Sequence, residues 1–346
     1  MPTAFSLDWP YAFGGPCGNG LIKIQPDDFF VAEILGFVPE GSGEHVFLHV
    51  EKIGENTEYI ARLLARHAQV RQRDVSFAGL KDRHARTRQW FSVWLPGKAD
   101  PDWAALESPQ LQILQTVRHA RKLKRGVLAG NRFELVIRNW QGDQETAIQR
   151  LNAIQQFGFP NYFGEQRFGR HGHNLHRALE LFQGTKFKRE QHSIYLSAAR
   201  SYLFNLILAE RVTSQSWRQG LPGDVFNLNH SHSFFKADNL DASLIERLGS
   251  GDIHPTGALW GKGDSGAQGE VQALEHAIIS AHTELAAGLI KAGLETDRRP
   301  LRVIPEKLCW SFEPDQILKL AFELPAGSYA TALIRELIKT NQVDDG

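Results

Sequence analysis

The hydrophobic pattern runs with period two near both ends of the chain and with a helical period between them, an order that constrains the fold more than any single motif. "GLIKI", "FFVAEIL" and "HVFLHVEK" alternate. The third sets Val46, Leu48 and Val50 on one face and Phe47 and His49 on the other, as in a sheet strand with one packed side. "NTEYIARLLARHAQV" places Tyr59, Ile60, Leu63, Leu64 and Ala68 at helical spacing behind a capping Asn56 or Thr57. "DVSFAG" and "QWFSVWLPG" read as strands again, and "LQILQTVRHARKLKRGVLAGNRFELVIRNW" as strand, basic loop, strand. From about residue 144 the pattern turns to amphipathic helix in "ETAIQRLNAIQQFG", "NLHRALELFQG" and "SIYLSAARSYLFNLILAERV". In a Gly- and His-rich stretch from roughly 220 to 270, "NLNHSHSFFKADN" and "WGKGDSGAQGE" read as loops, and a long helix ending near Gly293 follows. "DQILKLAFEL" then alternates once more, before a last helix in "SYATALIRELIKT". A sheet pattern that stops for a helical block and resumes predicts a mixed α/β (α+β) fold with a second, more helical domain inserted into the first. The length of 346 residues agrees, since single cores usually divide beyond about 250 to 300.

Net charge is zero, which first argues against a polyanionic partner, but the charge is unevenly spread. Between Arg62 and Arg138 there are 16 Lys plus Arg against 6 Asp plus Glu, so that segment is +10 and the remainder −10. Screening over about 8 to 10 Å lets such a local field attract phosphates on a neutral molecule. Cys17 and Cys309 stand far apart with no C-x-x-C spacing, which suits a reducing cytoplasm and gives no cysteine metal site. The N-terminus lacks a signal-peptide pattern, and no apolar run approaches the roughly 18 to 20 residues that cross a bilayer.

Two common site motifs fail on their surroundings. "HGHNLH" supplies His171, His173 and His176, and "NHSHS" two more histidines, but no cysteine or H-E-x-x-H partner completes a zinc set. Gly261, Gly263 and Gly266 match G-x-G-x-x-G, yet no clean strand pattern leads into them and no acidic residue closes a following strand.

The basic run "RHARKLKRG" is more telling, because Asn131 and Phe133 follow it at the start of a strand. Cations that hold phosphates beside an amide and an aromatic suit RNA. In "SFAGLKDRHARTRQW", Lys81, Arg83, His84, Arg86 and Arg88 crowd Asp82 on a loop that Gly79 opens between two strands. Cations favour the charged carboxylate, so a depressed pKa is expected. Such a group serves as an ion-pair partner, as a magnesium ligand at a phosphate site, or as a nucleophile toward a sugar or base swung out of its stack.

"VSFAGLKDRHARTRQW", "LKRGVLAGNRFELVIR", "PNYFGEQRFGRHGHNL" and "LPAGSYATALIREL", in that order, resemble the signature blocks of the tRNA pseudouridine synthase D (TruD) family, and "LIKIQPDDFFVAEILGF" and "GSGEHVFLHVEKIGENT" agree. The likeness runs through essentially the whole chain. It implies a pseudouridine synthase core with a mixed, largely antiparallel sheet, over 1–156 plus 304–346, interrupted by a TRUD domain at 157–303. It implies a cytoplasmic isomerase that converts uridine 13 of tRNA to pseudouridine, without metal or organic cofactor and with no obligate protein partner. The family's catalytic aspartate falls on Asp82, its first basic residue and aromatic on Lys23 and Phe29, and its G-N-x-F pair on Asn131 and Phe133. Its C-terminal aromatic falls on Tyr329, where some members have Phe. On that likeness Phe29, Phe133 and Tyr329 wall a base pocket, Lys23 keeps Asp82 ionised and Asn131 orients the base or the loop. Asp82 acts at the ribose C1′ through an acylal or a glycal intermediate. Candidate RNA contacts are Lys81, Arg83, Arg118, Arg121, Lys122, Lys124, Arg125 and Arg167. The alternative is a noncatalytic RNA-binding or RNA-folding protein on the same scaffold.

Overall fold

The computed structural model describes residues 5–231, 233–237 and 239–340. The first strands are β1 (Gly18–Leu21), β2 (Phe29–Leu35) and β3 (His45–Ile53). Helix α1 (Thr57–His67) follows, then β4 (Val75–Phe77), β5 (Arg86–Trp94), β6 (Leu111–His119) and the 15-residue β7 (Leu128–Gly142). The helical block holds α2 (Gln144–Phe157), β8 (Phe159–Pro160), α3 (His173–Phe182) and the 25-residue α4 (Arg189–Thr213). It continues through β9 (Val225–Leu228), β10 (Phe234–Lys236), α5 (Ala242–Ser250), β11 (Ile253–Leu259), α6 (Gly269–Ala281) and α7 (Thr283–Lys291), to β12 (Asp297–Pro300) and β13 (Arg302–Val303). The chain ends with β14 (Glu306–Glu313), β15 (Ile317–Pro325), α8 (Ala330–Ile334) and β16 (Ile338–Thr340). No helix among the described residues is long and apolar enough to cross a membrane.

Two compact units emerge, and neither is continuous in sequence. The sheet unit comprises 18–143, 305–327 and 339–346, and the helical unit 1–17, 144–304 and 328–338. The main sheet has the order β14-β15-β7-β2-β5-β3-β6, with β1 beside β7 and β4 beside β5. Its pairings are antiparallel except for β2 with β5, so the mixed, largely antiparallel architecture holds. β15 pairs along β7 from Leu318↔Ile137 to Pro325↔Gly130, which is how a strand close to the C-terminus rejoins a sheet begun near the N-terminus.

Period two decides which side of this sheet is packed. Val46, Leu48 and Val50 of β3 and Phe91 and Val93 of β5 form one core with Ile60, Ala61, Leu64 and Ala65 of α1. Ile60 and Leu64 are almost wholly buried, and each such side chain contributes roughly 1.5 to 3 kcal/mol. Asn56 is the N-cap of α1, but its side chain makes no capping hydrogen bond, and the neighbouring Thr57 hydroxyl is used elsewhere.

In the helical unit α4 runs through the core, burying Ala198, Ala199, Leu203, Phe204, Ile207 and Leu208. Arg211 at its end makes a buried two-pronged pair with Asp224 (2.8 and 2.7 Å), and Arg298 pairs with Glu275 at 2.7 Å. Of the segments expected as loops, "WGKGDSGAQGE" is largely irregular, whereas "NLNHSHSFFKADN" holds the end of β9 and all of β10. These two strands, only four and three residues long, join β11 and β12 in a sheet of order β10-β9-β11-β12. The single long helix expected before Gly293 is two, α6 and α7, separated at His282 (φ −127°, ψ 46°). The final helix is only five residues long and the chain turns extended again at Ile338. A strand does lead into Gly261, Gly263 and Gly266, but β11 is antiparallel to both its neighbours, so no βαβ unit presents those glycines to a dinucleotide.

Candidate active site

Asp82 lies on the loop between β4 and β5, in the sheet unit, and β3, β5 and α1 set its position. Thr57 at the start of α1 donates its hydroxyl to Gln89 Oε1 (3.0 Å) and accepts the Lys81 amide N–H (3.0 Å). Gln89, wholly buried on β5, donates to the Gly79 carbonyl at 2.6 Å. Lys52, wholly buried at the end of β3, donates to the carbonyls of Glu55 (2.7 Å) and of Asp82 itself (3.2 Å). The loop backbone is thus tied at residues 79, 81 and 82 by side chains from α1, β3 and β5.

The Asp82 carboxylate is about one-third exposed and forms an ion pair with Lys23, while its Oδ1 accepts the His84 amide at 3.0 Å. Burial alone would raise the Asp82 pKa. The Lys23 hydrogen bond and charge, with the His84 amide, outweigh burial and hold it below the usual carboxylate range. Lys23 reaches Asp82 from just past β1 with a left-handed backbone (φ 60°), a conformation that costs of order 1 kcal/mol or more for a residue with a Cβ. Its ammonium also sits 4.4 Å from the centre of the Phe29 ring. Phe29 meets Phe133 edge to face at 6.4 Å, and Phe133 stacks on Phe322 at 5.4 Å. Both Phe29 and Phe133 are more than nine-tenths buried, so they back the Lys23–Asp82 pair from within the sheet. Asn131 lies two residues before Phe133, on the same face of β7, and its Oδ1 accepts from Lys81 Nζ at 2.8 Å. A Cβ at the preceding Gly130 would come within 2.3 Å of the Leu324 carbonyl, so β7 and β15 approach here only because that residue is glycine.

The cations next to Asp82 in sequence are mostly engaged elsewhere. Arg86 and Arg88 alternate with the inward-facing Thr87 and Gln89 and so emerge on the opposite sheet face, where both bind Glu51 (2.8 and 2.7 Å). Lys81, expected at RNA phosphates, is nearly buried and pairs with Glu33 at 3.1 Å. Glu33 also accepts the Trp90 amide at 2.8 Å, and burial raises its pKa against the opposing pull of Lys81. Arg118, expected in the same role, is caged by the carbonyls of Gly43, Leu95 and Lys98 and by Asp100. A backbone-satisfied, ion-paired guanidinium is a structural peg. Arg83 is exposed and touches the Gly54 carbonyl at 3.3 Å. Arg121, Lys122, Lys124 and Arg125 are all exposed on the β6–β7 loop, which Leu123 (1% exposed) pins to the sheet while its amide bonds Ser92 Oγ (3.1 Å).

Arg167 and Tyr329 belong to the helical unit, where the Tyr329 hydroxyl accepts from Arg167 Nε (3.1 Å) and Nη2 (2.5 Å). Of the histidines, His173 bonds Arg177 and His176 packs on Phe5, and His232 lies outside the described residues. Among the described residues no group of three or more His, Cys, Asp or Glu is arranged to hold a metal ion.

Lys52, Thr57, Gln89 and Glu33 escaped the reading of motifs. Two of them left a signal: Lys52 follows Val46, Leu48 and Val50 on the packed face of β3, and Glu33 follows Phe29 and Val31 on β2. A charge on the apolar register of a strand must be paired, and pairing within a core marks a built position.

The family model described as tRNA pseudouridine synthase D (TruD) matches residues 10–187 and 184–337. The chain is 49% identical over 334 residues to tRNA pseudouridine synthase D of Methylococcus capsulatus, covering 96% of this chain and 94% of that one. It is 47% identical to that of Aeromonas salmonicida, covering 97% and 95%. A crystal structure assigned to TruD of Methanosarcina mazei shares the fold at a TM-score of 0.69 and 21% identity, over 97% of this chain and 96% of that one. With an aspartate held ionised on the loop that carries the G-x-K-D block, and with relatives matched along nearly their whole length, this chain belongs to the tRNA pseudouridine synthase D family.

Proposed function

We propose that this protein is a cytoplasmic enzyme that isomerises uridine 13 of tRNA to pseudouridine, with Asp82 as the nucleophile. The carrying observation is the ionised Asp82, paired with Lys23 on a loop tied down at three points. Extruding the uridine costs a few kcal/mol, which phosphate contacts and stacking offset. The Asp82 carboxylate then drives cleavage of the N1–C1′ bond, either by bonding to C1′ or by promoting loss of a sugar proton to give a glycal. The freed uracil turns within the site and C5 bonds to C1′. That bond displaces the Asp82 carboxylate from an acylal or, from a glycal, forms as the sugar proton returns to C2′. The proton on C5 then leaves and N1 takes one up, so atoms and charge balance without a redox partner. Lys23 holds the carboxylate charged, and Asn131, fixed by Lys81, orients the base or the loop. Phe29 and Phe133 are the aromatic side chains assigned to the base, and residues 157–303 the inserted TRUD domain. Tritium release from tRNA labelled at uridine C5, run with EDTA, tests this reading. Release that persists in chelator supports it, whereas strand cleavage that EDTA abolishes identifies a metal-dependent nuclease, and binding without release identifies a noncatalytic RNA-binding protein.

Arg121, Lys122, Lys124 and Arg125 are assigned to RNA phosphates, as is Arg83, exposed on the β4–β5 loop. Changing Arg121, Lys124 and Arg125 together to Gln should flatten the slope of log affinity against log salt by about 2 to 3, at roughly 0.7 to 0.9 for each phosphate no longer neutralised. An unchanged slope would remove that loop from the RNA interface.

A further inference from the structure

In the helical unit Arg167 is held by two hydroxyls, where Arg200 and Arg302 end on backbone carbonyls and His254. Arg211 and Arg298 of the same unit each end on a carboxylate. Arg167 instead gives Nε–H and one Nη2–H to the Tyr329 hydroxyl (3.1 and 2.5 Å) and one Nη1–H to Ser197 Oγ (2.9 Å). Among the described residues no carboxylate pairs with it. A guanidinium has five N–H donors, so these three bonds leave two, one on each terminal nitrogen. Each hydroxyl that accepts from Arg167 also keeps its own O–H to donate. Four donors and an uncompensated positive charge therefore gather on side chains that are partly exposed.

The geometry around them is built to hold this arrangement. The guanidinium lies 5.6 Å from the Phe163 ring centre and 5.9 Å from that of Tyr329, which meet edge to face at 5.9 Å. Arg299 covers Phe163 as well, at 4.1 Å, and bonds Asn161 Oδ1 at 2.6 Å. The Tyr329 ring rests on the backbone at Gly164, where an added Cβ would come to 3.0 Å of the ring. Asn174 ties the loop by donating to the Arg167 carbonyl at 3.1 Å. A cation fixed by neutral hydroxyls, with a free N–H on both terminal nitrogens, fits the two oxygens of a phosphodiester.

We propose that Arg167, Ser197 and Tyr329 form an oxyanion site in the helical unit that takes a backbone phosphate of the RNA. The proposal rests on the tRNA-modifying reading above, and in it the Tyr329 hydroxyl both orients Arg167 and donates to the phosphate. A phenylalanine at this position could do neither.

The test measures tRNA affinity against KCl, and inorganic phosphate binding by calorimetry, for the whole protein and three variants. Thermal melting confirms that each is folded. Arg167→Gln should lower the salt slope by about 0.7 to 0.9, and Arg167→Lys should restore it. Tyr329→Phe should keep the slope, since the charge remains, yet weaken tRNA binding about three- to tenfold. A folded Arg167→Gln protein with the wild-type slope overturns the site while the functional reading stands. Loss of inorganic phosphate binding with an unchanged tRNA slope assigns the site to a free anion and also overturns it. Wild-type protein that neither binds nor isomerises tRNA overturns the functional reading, and this site with it.

Discussion

Asp82→Asn abolishes pseudouridine formation, by about four orders of magnitude or more, the scale on which loss of a covalent nucleophile is felt. The amide preserves the shape of the carboxylate and can still meet the His84 amide, so the loop keeps its place and tRNA affinity stays within about tenfold. Single-turnover measurement with excess enzyme separates chemistry from binding, and pseudouridine made at an undiminished rate would remove Asp82 from the reaction. The acid limb of the wild-type rate carries a second check. The Asp82 pKa is depressed, so the reactive carboxylate persists as pH falls past the usual carboxylate range and is lost only below it. Its contribution to stability has the same sign, being complete above the unfolded pKa of about 3.9 and lost as pH falls through the folded value. A carboxylate limb between pH 5 and 8 would contradict this environment.

Lys52→Met lowers kcat about a hundredfold while leaving the KM for tRNA close to wild type. Lys52 does not touch the Asp82 carboxylate. It holds the Asp82 carbonyl and the Glu55 carbonyl from beneath, and a shift of about 1 Å in a reacting group is worth that much in rate. An equal loss in kcat/KM and in affinity would mean that Lys52 supports the RNA surface and not the loop. The side chain also leaves a mark on stability. Burial pushes its pKa down to about 8, against the attraction of Asp82 and Glu55. Between about pH 8 and the unfolded value near 10.4, the unfolded chain binds a proton that the native one has released, so stability rises with pH through that window. Urea unfolding across pH 7 to 10.5 should show this rise in the wild type and not in Lys52→Met.

Much of the site was legible in the letters because it is carried by local blocks. Asp82, Asn131 and Phe133 stand in short ordered motifs, and the alternation of β3 and β5 was plain enough to place Asp82 on the loop that precedes β5. What surrounds Asp82 was not legible, for a geometric reason. Five neighbours in sequence looked like a ring of charge, but the pleat of β5 sends Arg86 and Arg88 to the other face, and Lys81 turns inward to Glu33. The cation that pairs with the carboxylate is Lys23, 59 residues away, which the family resemblance names and the local charge pattern does not. The secondary-structure errors have a related cause. β9 and β10 are only four and three residues long, so tertiary pairing and not pattern makes them strands.

The sequence by itself determined the class of the fold, the return of the chain to its first sheet, the family and the aspartate proposed as nucleophile. These depend on periodicity and on ordered blocks, which are local properties of a chain. Only the tertiary structure decided which basic residues are pegs and which are exposed, and that Arg167 is bonded to hydroxyls instead of a carboxylate. Those outcomes depend on which residues meet across strands and helices far apart in sequence, and on how burial sets the cost of each charge, and no local pattern carries that information.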